Sequence, residues 1–140
     1  MNPKRIVVGV TGASGAPYVV RFLRVLLESG TEVHLAVSKM GRRLLFEESS
    51  IHDIDAEGFG VPEFSDHLFV YNDRDLGARI ASGSFLHDGM FVLPCSSNTL
   101  GAIASGITNT LVQRAAAVTL KERRRLVLAH RESPLSSIDL

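Results

Sequence analysis

The 140-residue chain has no tryptophan and a single cysteine, and its aromatic content is only 6%. With one cysteine no intrachain disulfide can form, and a reducing compartment is expected. Lysine plus arginine and aspartate plus glutamate both total 15, so the formal net charge is zero. A nucleic-acid-binding surface needs a basic excess that this composition lacks. No apolar run approaches the length that spans a bilayer. The start, "MNPKRIVVGV", lacks the apolar core and cleavage site of a secretory signal. The five histidines show no ligand spacing, so no metal site is expected. What remains is 45% hydrophobic, enough to bury a core within one domain over residues 1–140. A cytoplasmic α/β domain is the default expectation.

Apolar patterning gives that domain its elements. "RIVVGVT" (Arg5–Thr11) is a β-branched run suited to a strand buried on both faces. In the segment after it Val19, Phe22, Leu23, Leu26 and Leu27 recur at helical spacing, and Gly30 is a natural stop. "EVHLAVS" (Glu32–Ser38), "HLFVYN" (His67–Asn72), "GMFVLPCS" (Gly89–Ser96) and "RLVLAHR" (Arg125–Arg131) read as further strands. "KMGRRLLFEES", "SNTLGAIASG" and "NTLVQRAAAVTLKE" read as helices, the last two split by Gly106. Residues 51–62 read as a loop, and "DLGARIASGS" is ambiguous. Such alternation predicts a parallel sheet with helices on both faces. Ligands of such folds bind at the carboxyl ends of the strands. The residues there are Gly12, Ala13 and Ser14; Ser38 and Lys39; Cys95, Ser96, Ser97, Asn98 and Thr99; and Arg131 with Glu132. Hydroxyls, amides and a charged pair on four strand ends suit a ligand rich in oxyanions.

The first strand runs into "GVTGASGAP" (Gly9–Pro17). A helix N-terminus follows, where backbone N–H groups and the helix dipole favour phosphate. The spacing is G-x-x-G-x-x-G, not the dinucleotide pattern G-x-G-x-x-G. The second strand ends in Ser38 and Lys39 instead of a ribose-binding acid. A mononucleotide phosphate therefore fits better than a nicotinamide dinucleotide. A plain strand-to-helix turn would use the same glycines. Cys95 reads as a small packed residue. The run Lys121–Arg125, taken alone, reads as a solvated helix end. Arg114 could equally be an ion-pair partner, and "SGS" around Gly83 an ordinary turn.

"GVTGASGAPY", "VSK", "ASGS", "LPCSSNTL" and "RAAAVTLKERRRLVLAHRESP" occur in this order. Together they resemble the flavin prenyltransferases, formerly described as hydroxybenzoate or phenylacrylic acid decarboxylases, over Arg5–Leu140. The resemblance implies a Rossmann-like three-layer α/β fold that binds reduced FMN and dimethylallyl phosphate without a metal. It implies transfer of the dimethylallyl group to N5 and C6 of the flavin. The product would pass to a UbiD-type partner decarboxylase, as in ubiquinone biosynthesis. Trimers assembled into a homododecamer, with sites at subunit interfaces, are also implied.

By motif, Gly12, Ala13, Ser14, Ser38, Ser84, Ser96, Ser97, Asn98, Thr99, Arg114 and Arg131 would bind cofactor. Ser14, Glu48, Lys121 and Glu132 would be catalytic. Ser14 would relay a proton near N5, and Lys121 and Arg114 would surround the allylic phosphate. The chemistry suits these types: a leaving phosphate needs cations, and proton transfers need a carboxyl group. The sequence reads "KERRRL" where the family has "KERRPL", and "EESS" where it has "ETD". It ends at "RESPLSSIDL", whereas family members continue through another strand and helix that carry a substrate-clamping tyrosine and arginine. The chain is thus expected to be incomplete at its C-terminal side relative to the family. Two other readings share the binding motif: a flavin-dependent cysteine decarboxylase, whose histidine has no match at Arg79–Ser84, and a non-catalytic FMN-binding subunit.

Overall fold

A computed structural model describes residues 3–131. Five strands form one parallel sheet: β1 (Arg5–Val10), β2 (Glu32–Val37), β3 (Leu68–Asn72), β4 (Gly89–Cys95) and β5 (Leu126–His130). The spatial order is β3-β2-β1-β4-β5. Chain order therefore runs outward in one direction from β1 to β3, then restarts on the other side of β1 with β4. This is the doubly wound arrangement, and the reversal leaves a crevice beyond the carboxyl ends of β1 and β4.

Side-chain alternation divides the core. Val33, Leu35 and Val37 of β2 join one cluster, with Val19, Leu23 and Leu27 of helix α1 (Ala16–Glu28) and Leu45 of α2 (Lys39–Ser49). Ala36 of β2 joins the other, with Leu111, Val112, Ala115 and Ala116 of α4 (Leu111–Lys121). Helix α3 (Ser97–Ala104) adds Leu100 and Ile103 to that second face. Burial on both faces accounts for the near-continuous apolar strands in the sequence.

The expected elements are present, with ends shifted by a residue or two. The ambiguous "DLGARIASGS" contains a short 3₁₀ turn, Arg79–Ala81. Helix α4 runs back across the sheet. It begins at the carboxyl edge, where Leu111 N–H donates to the Asp73 carbonyl (2.8 Å). It ends at the amino edge, where Met90 N–H donates to the Arg125 carbonyl (2.9 Å). Eleven residues at 1.5 Å each separate these ends by about 16 Å.

Candidate active site at the carboxyl edge of the sheet

The turn after β1 is shaped by two close demands on glycine. Gly15 has φ +139°, a conformation that side chains disfavour. A Cβ on Gly12 would lie 2.5 Å from the Met40 Cβ, so α2 can approach the turn only because no side chain is there. Thr11 ties the turn to β4: its N–H and hydroxyl donate to the Pro94 carbonyl (3.2 and 2.8 Å). Its Oγ1 also accepts from Ser96 N–H at 2.9 Å.

The N-terminus of α1 is not left open for a ligand. Glu48, from the last turn of α2, accepts from Gly15 N–H (3.0 Å) and Ala16 N–H (2.9 Å) through Oε1. Its Oε2 accepts from the Ser14 hydroxyl at 2.6 Å. The anion at this helix end is thus the chain's own carboxylate. The Ser14 hydroxyl, followed by the two backbone donors, holds the Glu48 carboxyl below its ordinary value. Arg131, just after β5, adds a weaker Coulombic pull in the same direction.

The end of α4 is filled similarly. Asp73 Oδ1 accepts from Val112 N–H at 2.9 Å, and Thr110 and Gln113 form a reciprocal capping box. Desolvation raises the Asp73 carboxyl above its ordinary value despite those bonds. The ends of α2 and α3 are instead capped by hydroxyls: Ser38 accepts from Gly41 N–H (3.0 Å), and Ser96 from Thr99 N–H (3.1 Å).

Between these ends lies a cleft of about 670 Å³ lined by Thr11, Gly12, Ser38, Ser96, Asn98 and Thr99, among others. That volume is in the range of small-molecule sites. Among the described residues, Lys39, Arg42 and Arg74 line it against Asp73 as the single acid. The balance favours an anionic ligand, as do two hydroxyl-capped helix N-termini. These features fit a flavin mononucleotide: cations and N-cap hydroxyls for phosphate, and amides and hydroxyls for the polar chain.

The structure brings most of the expected residues to this edge. Gly12, Ser38, Ser96, Asn98 and Thr99 line the cleft. Ala13 and Ser14 lie in the adjoining turn, with Glu48 bonded to Ser14. Ser97 sits at the start of α3, its hydroxyl 2.8 Å from His130 Nε2. Arg131 N–H donates to the Cys95 carbonyl at 3.1 Å. Arg114 lies in the first turn of α4, where it donates to the Thr108 carbonyl (3.4 Å) and its Nε is buried without a protein partner among the described residues. Cys95 is buried, and burial pushes its thiol up to about 11, as suits a packed residue.

Ser84 and Lys121 are not at this edge. Lys121 ends α4, and Ser84 precedes β4 in a turn gripped by Arg124, which donates to the carbonyls of Gly83 (2.9 Å) and Phe85 (3.1 Å). Arg124 therefore departs from the solvated reading of its charge run. Both residues belong to the amino edge of the sheet. Glu132 lies outside the described residues.

Sequence reading passed over Asn72, Asp73 and Arg74, which line the cleft at the end of β3, and Asn109, Thr110 and Gln113 opposite them. Two signals were available: the carboxyl-end rule applied to the third strand, and the T-x-x-Q capping pattern.

Fold and cleft together define a doubly wound α/β protein with a mononucleotide-sized anion site at its switch point. A family model described as Flavoprotein matches residues 1–139. The flavin prenyltransferase UbiX of Thermoplasma acidophilum is 48% identical over 136 residues, 97% of this chain and 71% of the relative. A crystal structure of AnUbiX (PadA1) in complex with FMN and dimethylallyl pyrophosphate superposes with TM-score 0.88 at 43% identity. It covers 99% of this chain and 70% of the other. A dodecameric FMN-dependent UbiX-like decarboxylase from Escherichia coli O157:H7 gives TM-score 0.84 at 43% identity, covering 96% and 70%. The chain belongs to the flavoprotein family, in its flavin prenyltransferase branch. It spans 54% to 71% of the length of curated relatives that it matches.

Proposed function

We propose that the chain is a flavin prenyltransferase, joining the dimethylallyl group of dimethylallyl phosphate to N5 and C6 of reduced FMN. The observation that carries this is the Ser14–Glu48 pair, a hydroxyl and a carboxylate 2.6 Å apart in the turn that adjoins an anion-favouring cleft. When bound, reduced FMN supplies the nucleophilic ring atoms. Ser38 and Ser96, with Lys39 and Arg42, hold its phosphate and polar chain. Gly12 and Ala13 would border the ring, and Ser97, Asn98 and Thr99 would cover it. Ser14 would hold a proton toward the flavin and could exchange it with Glu48, which is fixed by two backbone N–H groups. Arg131 supports the negative charge of Glu48, and Arg114 contributes cationic charge at the same edge. Glu132 is the candidate acid/base for the leaving phosphate and the C6 proton.

Lys121 ends α4, about 16 Å from the start of that helix at the cleft, and Ser84 lies in the turn held by Arg124 beyond the same end, too far to act within the same copy. Their role is therefore assigned to a site shared between copies, in which the amino edge of one chain meets the carboxyl edge of another. A homo-oligomer of trimers in a dodecamer is consistent with this, and a cytoplasmic setting and a UbiD-type decarboxylase as recipient complete the proposal.

The test is the mass of the flavin extracted after anaerobic incubation with reduced FMN and dimethylallyl phosphate. The expected product is heavier than FMN by one five-carbon prenyl unit. Recovery of unmodified FMN would reduce this chain's role to binding, and recovery of no flavin would overturn the reading of the cleft.

A further inference from the structure

His34 is fully buried in the amino-terminal half of β2, between β1 and β3. Its Nε2 is 2.7 Å from Glu32 Oε1, and its Nδ1 is 2.8 Å from the Tyr71 hydroxyl. The partners fix the protons. Glu32 also pairs with Arg5 (3.2 Å), so it is a carboxylate and can only accept. Nε2 must then carry the hydrogen. Burial lowers the proton affinity of the ring and favours its neutral form. Nδ1 therefore accepts, and the Tyr71 hydroxyl donates to it. Tyr71 in turn accepts from Arg79 Nε at 2.7 Å. The result is a single directed chain from Arg79 through Tyr71 and His34 to Glu32.

Arg79 and His34 of that chain both touch one segment. Arg79 opens residues 79–85, and its guanidinium lies over the rings of Phe69 (5.1 Å), Phe85 (5.5 Å) and Tyr71 (5.9 Å). Phe85 closes the segment, its ring set edge-on against His34 at 4.8 Å, with Arg5 over its face at 5.3 Å. Phe69 stacks on the other side of His34 at 4.8 Å. Ser82 and Ser84 lie between these anchors, their hydroxyls 2.8 Å apart. A buried histidine in a fully paired polar chain is an exacting arrangement where apolar side chains would suffice. Its consequence here is local: it fixes where Arg79 and Phe85 sit.

We propose that His34, Tyr71 and Arg79 form a positioning network that sets the Ser82–Ser84 turn so that Ser84 is presented to the flavin of a neighbouring copy. The proposal rests on the reading of Ser84 as a flavin contact. His34 and Tyr71 are positioning residues, acting through the turn.

Tyr71→Phe tests it, since the ring and its packing stay while the hydroxyl at the centre of the chain goes. In the wild type, nitrogen-15 shifts of the His34 imidazole should show the neutral Nε2–H tautomer. The Nδ1–H tautomer would overturn the directed chain. In Tyr71→Phe, amide hydrogen exchange across 79–86 should rise by about tenfold while the sheet amides keep their protection. A uniform rise across the sheet would reduce the network to general stability. FMN affinity, read by flavin fluorescence, should weaken about tenfold in Tyr71→Phe, and Ser84→Ala should cost little more in that background. Full additivity of the two substitutions would also overturn the proposal. If Ser84→Ala leaves FMN binding unchanged in the wild type, the reading of Ser84 fails, and the exchange pattern alone decides whether the network positions the turn.

Discussion

At the scale of single residues, Glu48 carries two duties that can be separated by chemistry. It caps α1 through two backbone N–H groups, and it accepts from the Ser14 hydroxyl. Glu48→Gln keeps an oxygen for the cap but cannot take a proton. Its urea midpoint should move little, whereas prenylated flavin should form at least about a hundredfold more slowly, the usual contribution of a proton-transferring group. Glu48→Ala should lose both, with about 1 kcal/mol of stability from the missing cap. The sign of the pH effect follows from the lowered carboxyl. The cap's contribution is fully present above the ordinary value of 4.5 and is lost as pH falls through the lower folded value. A thermal-unfolding series from pH 6 downward should therefore show the gap between wild type and Glu48→Ala narrowing in acid. The GASG motif was visible in the sequence, but its occupant was not. Glu48 is 34 positions from Ser14, and nothing local says that α2 delivers its last turn to the start of α1.

At the scale of elements, the strands and helices were legible because their patterns are strong and agree with one another. β-branched runs buried on both faces, and apolar residues at helical spacing, leave few alternatives. The ambiguous segment, residues 75–84, became a 3₁₀ turn whose shape depends on Arg124 and Arg79, neither of which advertises a partner in sequence. The overlooked cleft wall around Thr110 has a local signature, and it yields a separate prediction. The Thr110 side chain accepts from Gln113 N–H at 3.2 Å, and Gln113 Oε1 accepts from Thr110 N–H at 3.3 Å. Thr110→Ala should cost about 1 kcal/mol, read as a lower urea midpoint with an unchanged slope. A loss far below that would mean that Asp73, which accepts from Leu111 and Val112, is sufficient to hold the start of α4.

At the scale of the whole molecule, the proposed site residues are divided between opposite edges of one sheet. Ser14, Ser38, Glu48 and Ser96 stand at the carboxyl edge, and Ser84 and Lys121 at the amino edge, with the length of α4 between them. Motif order could not reveal this division, since residues that share a site across copies look no different in sequence from residues that share it within one. The division predicts complementation. Glu48→Gln disables one edge and Lys121→Ala the other, so each variant alone should make little prenylated flavin. If every site takes one edge from each of two copies, random mixing at equal amounts leaves about a quarter of sites with both edges intact. Variants unfolded together in urea, refolded as a mixture and assayed by product mass should recover about that fraction of wild-type activity. A mixture no more active than its components would require Lys121 to serve the site of its own chain, and the helix that holds it some 16 Å away would have to move.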